Sequence, residues 1–191
     1  MKFDPHQPQT RFAQRALAAF SGSLLALLET TAFEKVTVKA ICEEANYPRA
    51  TFYNYFDDSY DLLHYCWLLM IQQMGVADYP AMAPAERIYR LFDRAYDYLE
   101  PRRAAIRKIM RVNPLDGAFT ASLTLFVRQQ AQLIMQNCAF QQAAPAPLPL
   151  VAEYYSNTLL LVLEWAFLRG QLTDREQARD CLRYLLESRP D

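Results

Sequence analysis

Val36-Thr-Val-Lys-Ala-Ile-Cys-Glu-Glu-Ala-Asn-Tyr-Pro-Arg-Ala-Thr-Phe-Tyr-Asn-Tyr-Phe56 decides the fold. Val38, Ile41, Cys42 and Ala45 recur at helical spacing, so the segment after Thr37 predicts a short helix with one apolar face. Thr37 suits the position before its first turn, where a hydroxyl accepts one of the orphan N–H groups. Asn46 falls where the chain must reverse, and Asn tolerates the left-handed conformation that ends many helices. Pro48 is expected at the first position of the next helix, where its missing N–H costs nothing. The recognition helix is then expected over Pro48 to Phe56. Two helices joined by so short a turn form a helix-turn-helix, whose second helix enters the DNA major groove.

Outward from this segment the pattern stays helical. A non-periodic stretch over residues 1–9 reads as an arm, followed by a helix from about Thr10 to Thr31 with Phe12, Ala16, Phe20, Leu24, Leu27 and Leu28 on one stripe. A fourth helix is expected from Ser59 to about Val76, with Asp58 or Ser59 as its cap. Asp78 to Ala83 reads as a loop, and Pro84 and Pro101 open helices running through Tyr98 and about Val112. The Pro, Asp and Gly of Asn113 to Gly117 predict a turn, and a long helix covers about Ala118 to Phe140. Three prolines keep Gln141 to Pro149 from being helical throughout. Leu150 to Arg169 is an apolar helix stopped by Gly170, and Thr173-Asp-Arg-Glu176 fits a capping box that opens a last helix to about Ser188. The expected fold class is all-α, about nine helices and no strand: a three-helix head over residues 1–58 and a helical body over 59–191.

Hydrophobic residues make up 52% of the 191 and charged residues 21%, which excludes a disordered chain. The longest apolar run near the C-terminal end, Leu159 to Leu163, is far below the roughly 18 residues that span a bilayer. Met1 to Pro8 lacks the apolar stretch of a signal peptide, so a cytoplasmic location is expected and no membrane partner. Cys42, Cys66, Cys138 and Cys181 are scattered through apolar helical patterns without metal-ligand spacing, which predicts buried thiols and no metal. With His6 and His64 as the only histidines and no Gly-rich phosphate loop, no catalytic constellation is legible and no cofactor is expected. The pair Asp93 and Asp97 reads as a solvent-facing helix edge.

Thr51-Phe52-Tyr53-Asn54-Tyr55-Phe56, followed by Asp61-Leu62-Leu63, closely resembles the signature of the TetR family of bacterial transcriptional regulators. Thr37 to Ala45 is similar to that family's second helix, so the resemblance covers about residues 10 to 65. Asn46 stands where the family has Gly, Pro48 for a capping Ser, Ala50 for Gly, and Ser59 for a Lys that supplies a phosphate contact.

The resemblance implies a homodimer that binds a palindromic double-stranded operator and responds to a small-molecule effector, most often as a repressor. Arg49 is the expected base or phosphate contact, because its fork engages guanine bidentately. Tyr47, Ala50, Thr51 and Asn54 are expected beside it, with Thr37 and Lys39 adding phosphate contacts from the preceding helix. Tyr53 and Tyr55 resemble the family's phosphate-binding phenols, while Phe52 and Phe56, four apart, are expected in the core. Against this, residues 1–60 carry six Lys or Arg (Lys2, Arg11, Arg15, Lys35, Lys39, Arg49) and seven Asp or Glu (Asp4, Glu29, Glu34, Glu43, Glu44, Asp57, Asp58). Bulk charge therefore gives no support to DNA binding, and a helical interaction protein or co-activator on the same scaffold is the alternative.

For the body, Trp67, Met70, Met74, Tyr89, Phe92, Tyr96, Met110, Phe126 and Tyr155 are the expected lining of an apolar ligand pocket, although a plain core would use the same residue types. Leu159, Leu160, Leu163, Phe167, Leu182, Leu185 and Leu186 are the expected dimer interface, two helices pairing with their symmetry mates. Arg102, Arg103, Arg107, Lys108 and Arg111 form a basic run that reads as a solvated face or an anion site.

Overall fold

The computed structural model describes residues 2, 9–75, 86–136, 146–172 and 174–187. Among them are nine α-helices and no strand: α1 (Arg11–Leu28), α2 (Val38–Ala45), α3 (Arg49–Tyr53), α4 (Ser59–Met74), α5 (Arg87–Leu99), α6 (Arg103–Val112), α7 (Ala118–Gln136), α8 (Leu148–Phe167) and α9 (Arg175–Glu187). The expected arm over 3–8, the loop at 78–83, Pro84, the stretch 137–145 with Cys138, and Thr173 lie outside the described residues. The chain forms two compact units, one of Met1–Met70 with Lys108–Ser122, the other of Ile71–Arg107 with Leu123–Asp191.

In the first unit α1 packs on α2 along a seam of Ala13, Ala16, Leu17, Phe20, Leu24 and Leu28, all buried. Phe20 is the hub. Its ring stands edge-on to Phe52 at 5.3 Å and to Phe56 at 6.5 Å, and those two lie 5.4 Å apart, the geometry that aromatic quadrupoles favour. Phe12 departs from the expected stripe and is 61% exposed. It lies in the first turn of α1, ahead of the seam, and meets the Tyr47 ring edge-on at 6.4 Å. The Thr10 hydroxyl accepts from Ala13 N–H and starts α1 one residue later than the sequence predicts, at Arg11. The Asp58 carboxylate accepts from Tyr60 and Asp61 N–H at 2.9 Å each and starts α4, while Asp57 N–H donates to Asp61. Gly75, with φ +64, follows the last residue of α4.

The second unit is built on α5, α8 and α9 around Phe92, Tyr96, Leu159, Val162, Leu163, Phe167 and Leu182. α8 starts at Leu148 instead of Leu150, since Pro149 falls in the first turn where its missing N–H is harmless. Asp174 caps α9, accepting from Gln177 N–H at 2.8 Å. Of the expected solvent-facing pair, Asp97 is exposed but Asp93 is half-buried, and both carboxylates are engaged. Arg175 reaches both, Arg179 reaches Asp93, and these pairs tie α5 to α9. The basic run divides as well. Arg103 donates to Ala166 O at 2.8 Å, pairs with Glu100 at 2.6 Å and lies over the Phe167 ring, which commits its guanidinium to holding the end of α8. Arg102 stacks on Tyr98, whereas Arg107 and Arg111 are exposed.

Candidate nucleic-acid interface

The helix-turn-helix is assembled from local caps. Thr37 is extended (φ −106, ψ 151) and its hydroxyl accepts from Ala40 N–H at 3.2 Å. At the other end of α2, Asn46 is left-handed (φ 53, ψ 44). Asn46 N–H donates to Glu43 O and Tyr47 N–H to Cys42 O, the paired bonds of a Schellman motif. Asn supplies this conformation at a modest steric cost where Gly would supply it freely. Pro48 is the residue before α3 and not its first, since it stays extended at ψ 147. The helix proper is Arg49–Tyr53, five residues, shorter than the sequence predicts because Asn54 closes it and Phe56 returns to the core. So short a helix is unstable alone and depends on Phe52 packing against Phe20 and Phe56.

Arg49, Ala50, Tyr53 and Asn54 are exposed, and Thr51 and Tyr55 are half-buried. Tyr47 turns its ring onto Phe20 at 5.4 Å, so it is partly a packing residue. Lys39, Cys42, Glu43, Asn46, Tyr47, Pro48 and Arg49 line an open hollow of about 680 Å³ along the turn. Lys39 shares its charge with Glu43 at 3.7 Å. Burial pushes the Cys42 thiol up, opposed by the nearby Arg49 charge, so this cysteine stays a protonated wall of the hollow. No local pattern marks Lys2 as part of this site. Its backbone N–H donates to Tyr55 O at 3.0 Å, and its ammonium reaches Tyr53 O at 3.1 Å and Asp57 at 2.9 Å. No periodicity in the first nine residues marks that position, and the contact spans fifty residues of chain.

The residues expected to line a ligand pocket fall in both units. In the first, Trp67 donates its indole N–H to Ser122 Oγ at 3.1 Å and packs on Phe119, with Met70 and Met110 half-buried. In the second, Phe92 and Tyr96 are core, Met74 and Tyr89 pack against it, Phe126 is buried and Tyr155 is half-buried against Tyr154. The expected dimer residues differ in their burial within one protomer. Leu159, Leu163, Phe167 and Leu182 are buried in the protomer's own core because α5 packs on α8 and α9, so they present no face to a partner. Leu160 and Leu186 are half-buried, and Leu185 is exposed. Among the described residues no group of three or more His, Cys, Asp or Glu is placed to hold a metal ion, and no helix is long and apolar enough to cross a membrane.

Residues 24–66 match the model of the bacterial regulatory proteins of the tetR family. No curated protein matches the chain. Among solved structures, a Syntrophomonas wolfei protein assigned to the TetR-family transcriptional regulators is similar over 91% of this chain and 94% of its own, with a TM-score of 0.67 at 13% identity. A Clostridium perfringens protein assigned as a fatty acid metabolism regulator is similar over 91% and 99% (TM-score 0.59, 16% identity). A Pseudomonas aeruginosa PAO1 protein assigned as a transcriptional regulator is similar over 93% and 91% (TM-score 0.54, 18% identity). At such identities the likeness is one of fold, while the family match rests on the segment that carries the helix-turn-helix. The chain therefore carries a TetR-family helix-turn-helix domain over residues 24–66, and its all-helical fold is similar to that of solved TetR-family regulators.

Proposed function

We propose that the protein is a homodimeric repressor that reads a palindromic operator through α3 and leaves it when a small molecule enters the body. The observation that carries this reading is the exposure of Arg49 at the start of α3, beside the hollow lined by Lys39 and Tyr47. An exposed guanidinium at a recognition-helix N-terminus is suited to a base edge, and the Tyr53 phenol one turn later to a phosphate. Residues 1–58 take the DNA-binding role and residues 59–191 the ligand-binding and dimerising role.

The dimer face proposed is a stripe on α8, Leu150, Tyr154, Leu161 and Trp165, spaced by four, seven and four residues and all exposed. Tyr184 and Leu185 of α9 are exposed apolar residues of the same kind. A two-fold axis through such a face would set two recognition helices about one DNA turn apart, roughly 34 Å. Selection of random duplexes by the purified protein, followed by anisotropy titration of the winner, tests the reading. A palindrome bound at nanomolar concentration and lost in an Arg49→Ala/Tyr53→Phe double variant is the expected result. A folded dimer that enriches no sequence would instead favour an interaction protein, the reading that the near-neutral head supports.

A further inference from the structure

Asn113 lies eighty residues beyond the head's 3-10 turn (Phe33–Lys35), yet its side chain is part of the head's interior. It is 1% exposed, and each end of its amide is satisfied. The oxygen accepts from Phe33 N–H at 2.8 Å, and the nitrogen donates to Leu28 O at 3.2 Å and Ile109 O at 3.0 Å. Leu28 is the last residue of α1 and Phe33 the first of the 3-10 turn. The amide thus joins a carbonyl that the end of a helix leaves open to an N–H that the start of the next turn leaves open. That turn runs directly into Thr37, the cap of α2, so the placement of α2 and α3 starts from this point.

The head answers in kind. Glu34 from the 3-10 turn accepts from Ala118 N–H at 2.7 Å, capping the N-terminal end of α7. Glu29 pairs with Lys108 of α6 at 2.7 Å. A Cβ on Gly117 would sit 3.1 Å from Pro114 O and 3.3 Å from the Glu34 carboxylate, so a larger residue there would push these neighbours back by a few tenths of an ångström. A buried side chain with every polar atom matched is costly to replace, because its removal leaves Leu28 O and Phe33 N–H without partners.

We infer that Asn113 is a positioning residue for DNA binding and that, with Glu34, it makes the α6–α7 turn a coupling element of the DNA-reading head. This rests on the regulator reading above. α6 and α7 each continue from this turn into the second unit, so any event that moves them must either carry the head along or break these bonds. By reciprocity, binding operator at α3 restrains the turn.

The test is hydrogen exchange on the full-length protein with and without the selected operator duplex, alongside duplex affinity. In the wild type, duplex should slow exchange over residues 108–122 as well as over the head. Asn113→Ala and Glu34→Gln should each lose the protection at 108–122. Asn113→Ala should also weaken the duplex at least tenfold. Leu182→Ala, a core variant in the second unit with a comparable fall in Tm, should keep both properties within about twofold, which separates coupling from general destabilisation. Duplex protection confined to the head in the wild type would overturn the inference, as would undiminished protection in Glu34→Gln, which keeps the test open should Asn113→Ala fail to fold. A wild-type protein that binds no duplex would instead bring down the regulator reading itself.

Discussion

The ammonium of Lys2 lies 2.9 Å from the Asp57 carboxylate, at the C-terminal end of the recognition helix. It also donates to the carbonyl of Tyr53, at the position where a cation complements the helix dipole. A positive charge, paired with Asp57, therefore stands beside the backbone of Tyr53 and Tyr55, the two phenols that the family resemblance associates with phosphate.

Lys2→Gln should reduce the salt dependence of duplex binding. Losing one phosphate neutralisation makes the slope of log K against log salt shallower by about 0.9. Anisotropy titrations between 50 and 200 mM salt, roughly the range over which such slopes are read, measure it directly. An unchanged slope would place Lys2 in packing alone.

The two phenylalanines of α1 should differ sharply. Phe20 is fully buried among Phe52, Phe56 and Tyr47, so Phe20→Ala should cost about 3–5 kcal/mol in urea unfolding and abolish duplex binding with it. Phe12, largely exposed, should change stability by no more than about 0.5 kcal/mol on replacement by Ala.

Oligomeric state should respond to the outer face of α8 and not to its inner one. Leu161→Arg with Trp165→Arg should give a folded monomer in sedimentation velocity. Leu163→Arg, which puts an unpaired charge into the protomer core, should unfold the protein before any question of assembly arises. A double variant that remains dimeric would move the interface elsewhere.

Stability should fall in alkali. Burial pushes the Cys66 thiol from its ordinary 9.0 up to about 12. Below pH 9 both folded and unfolded chains keep the proton and nothing is lost. Above it the unfolded chain releases the proton while the folded one cannot, so stability declines as pH rises toward the folded value. The first full unit above pH 9 corresponds to about 1.4 kcal/mol. Burial, and then the hydrogen bond to Glu187, push Tyr89 up to about 12 as well, which adds to the decline above its ordinary 10.0. Urea titrations at pH 8, 9 and 10 should show the loss, and Cys66→Ser should flatten its Cys66 part.

The features read most directly from sequence are those a few residues can decide by themselves. Thr37, Asn46 and Asp58 close or open helices through bonds to neighbours within five positions, and the α2–α3 turn follows from them. Pro48 stands one residue before its expected place, since a proline before a helix and a proline inside its first turn satisfy the same local rule. Long-range partners were out of reach. Arg103 and Arg107 share a face by spacing, but only the folded chain brings the Ala166 carbonyl to one of them. α8 is apolar nearly all round, so its periodicity cannot say which leucines meet the protomer's own core and which face outward. The clasp of Lys2 and the latch of Asn113 join positions fifty and eighty residues apart, where no local pattern points from one to the other.

That latch has a consequence for how the protein is made. The helix-turn-helix is complete in sequence by residue 56, but the segment that ties its interior together extends to Ser122. At about 5–20 residues per second, a ribosome needs roughly three to ten further seconds after Met70 to deliver it. Through that interval the nascent head exposes the open ends of α1 and the 3-10 turn to water. A chain interrupted before the α6–α7 turn would therefore release a head that lacks the Asn113 bonds, so the order of synthesis delays the final placement of α2 and α3 until well after their own residues are made.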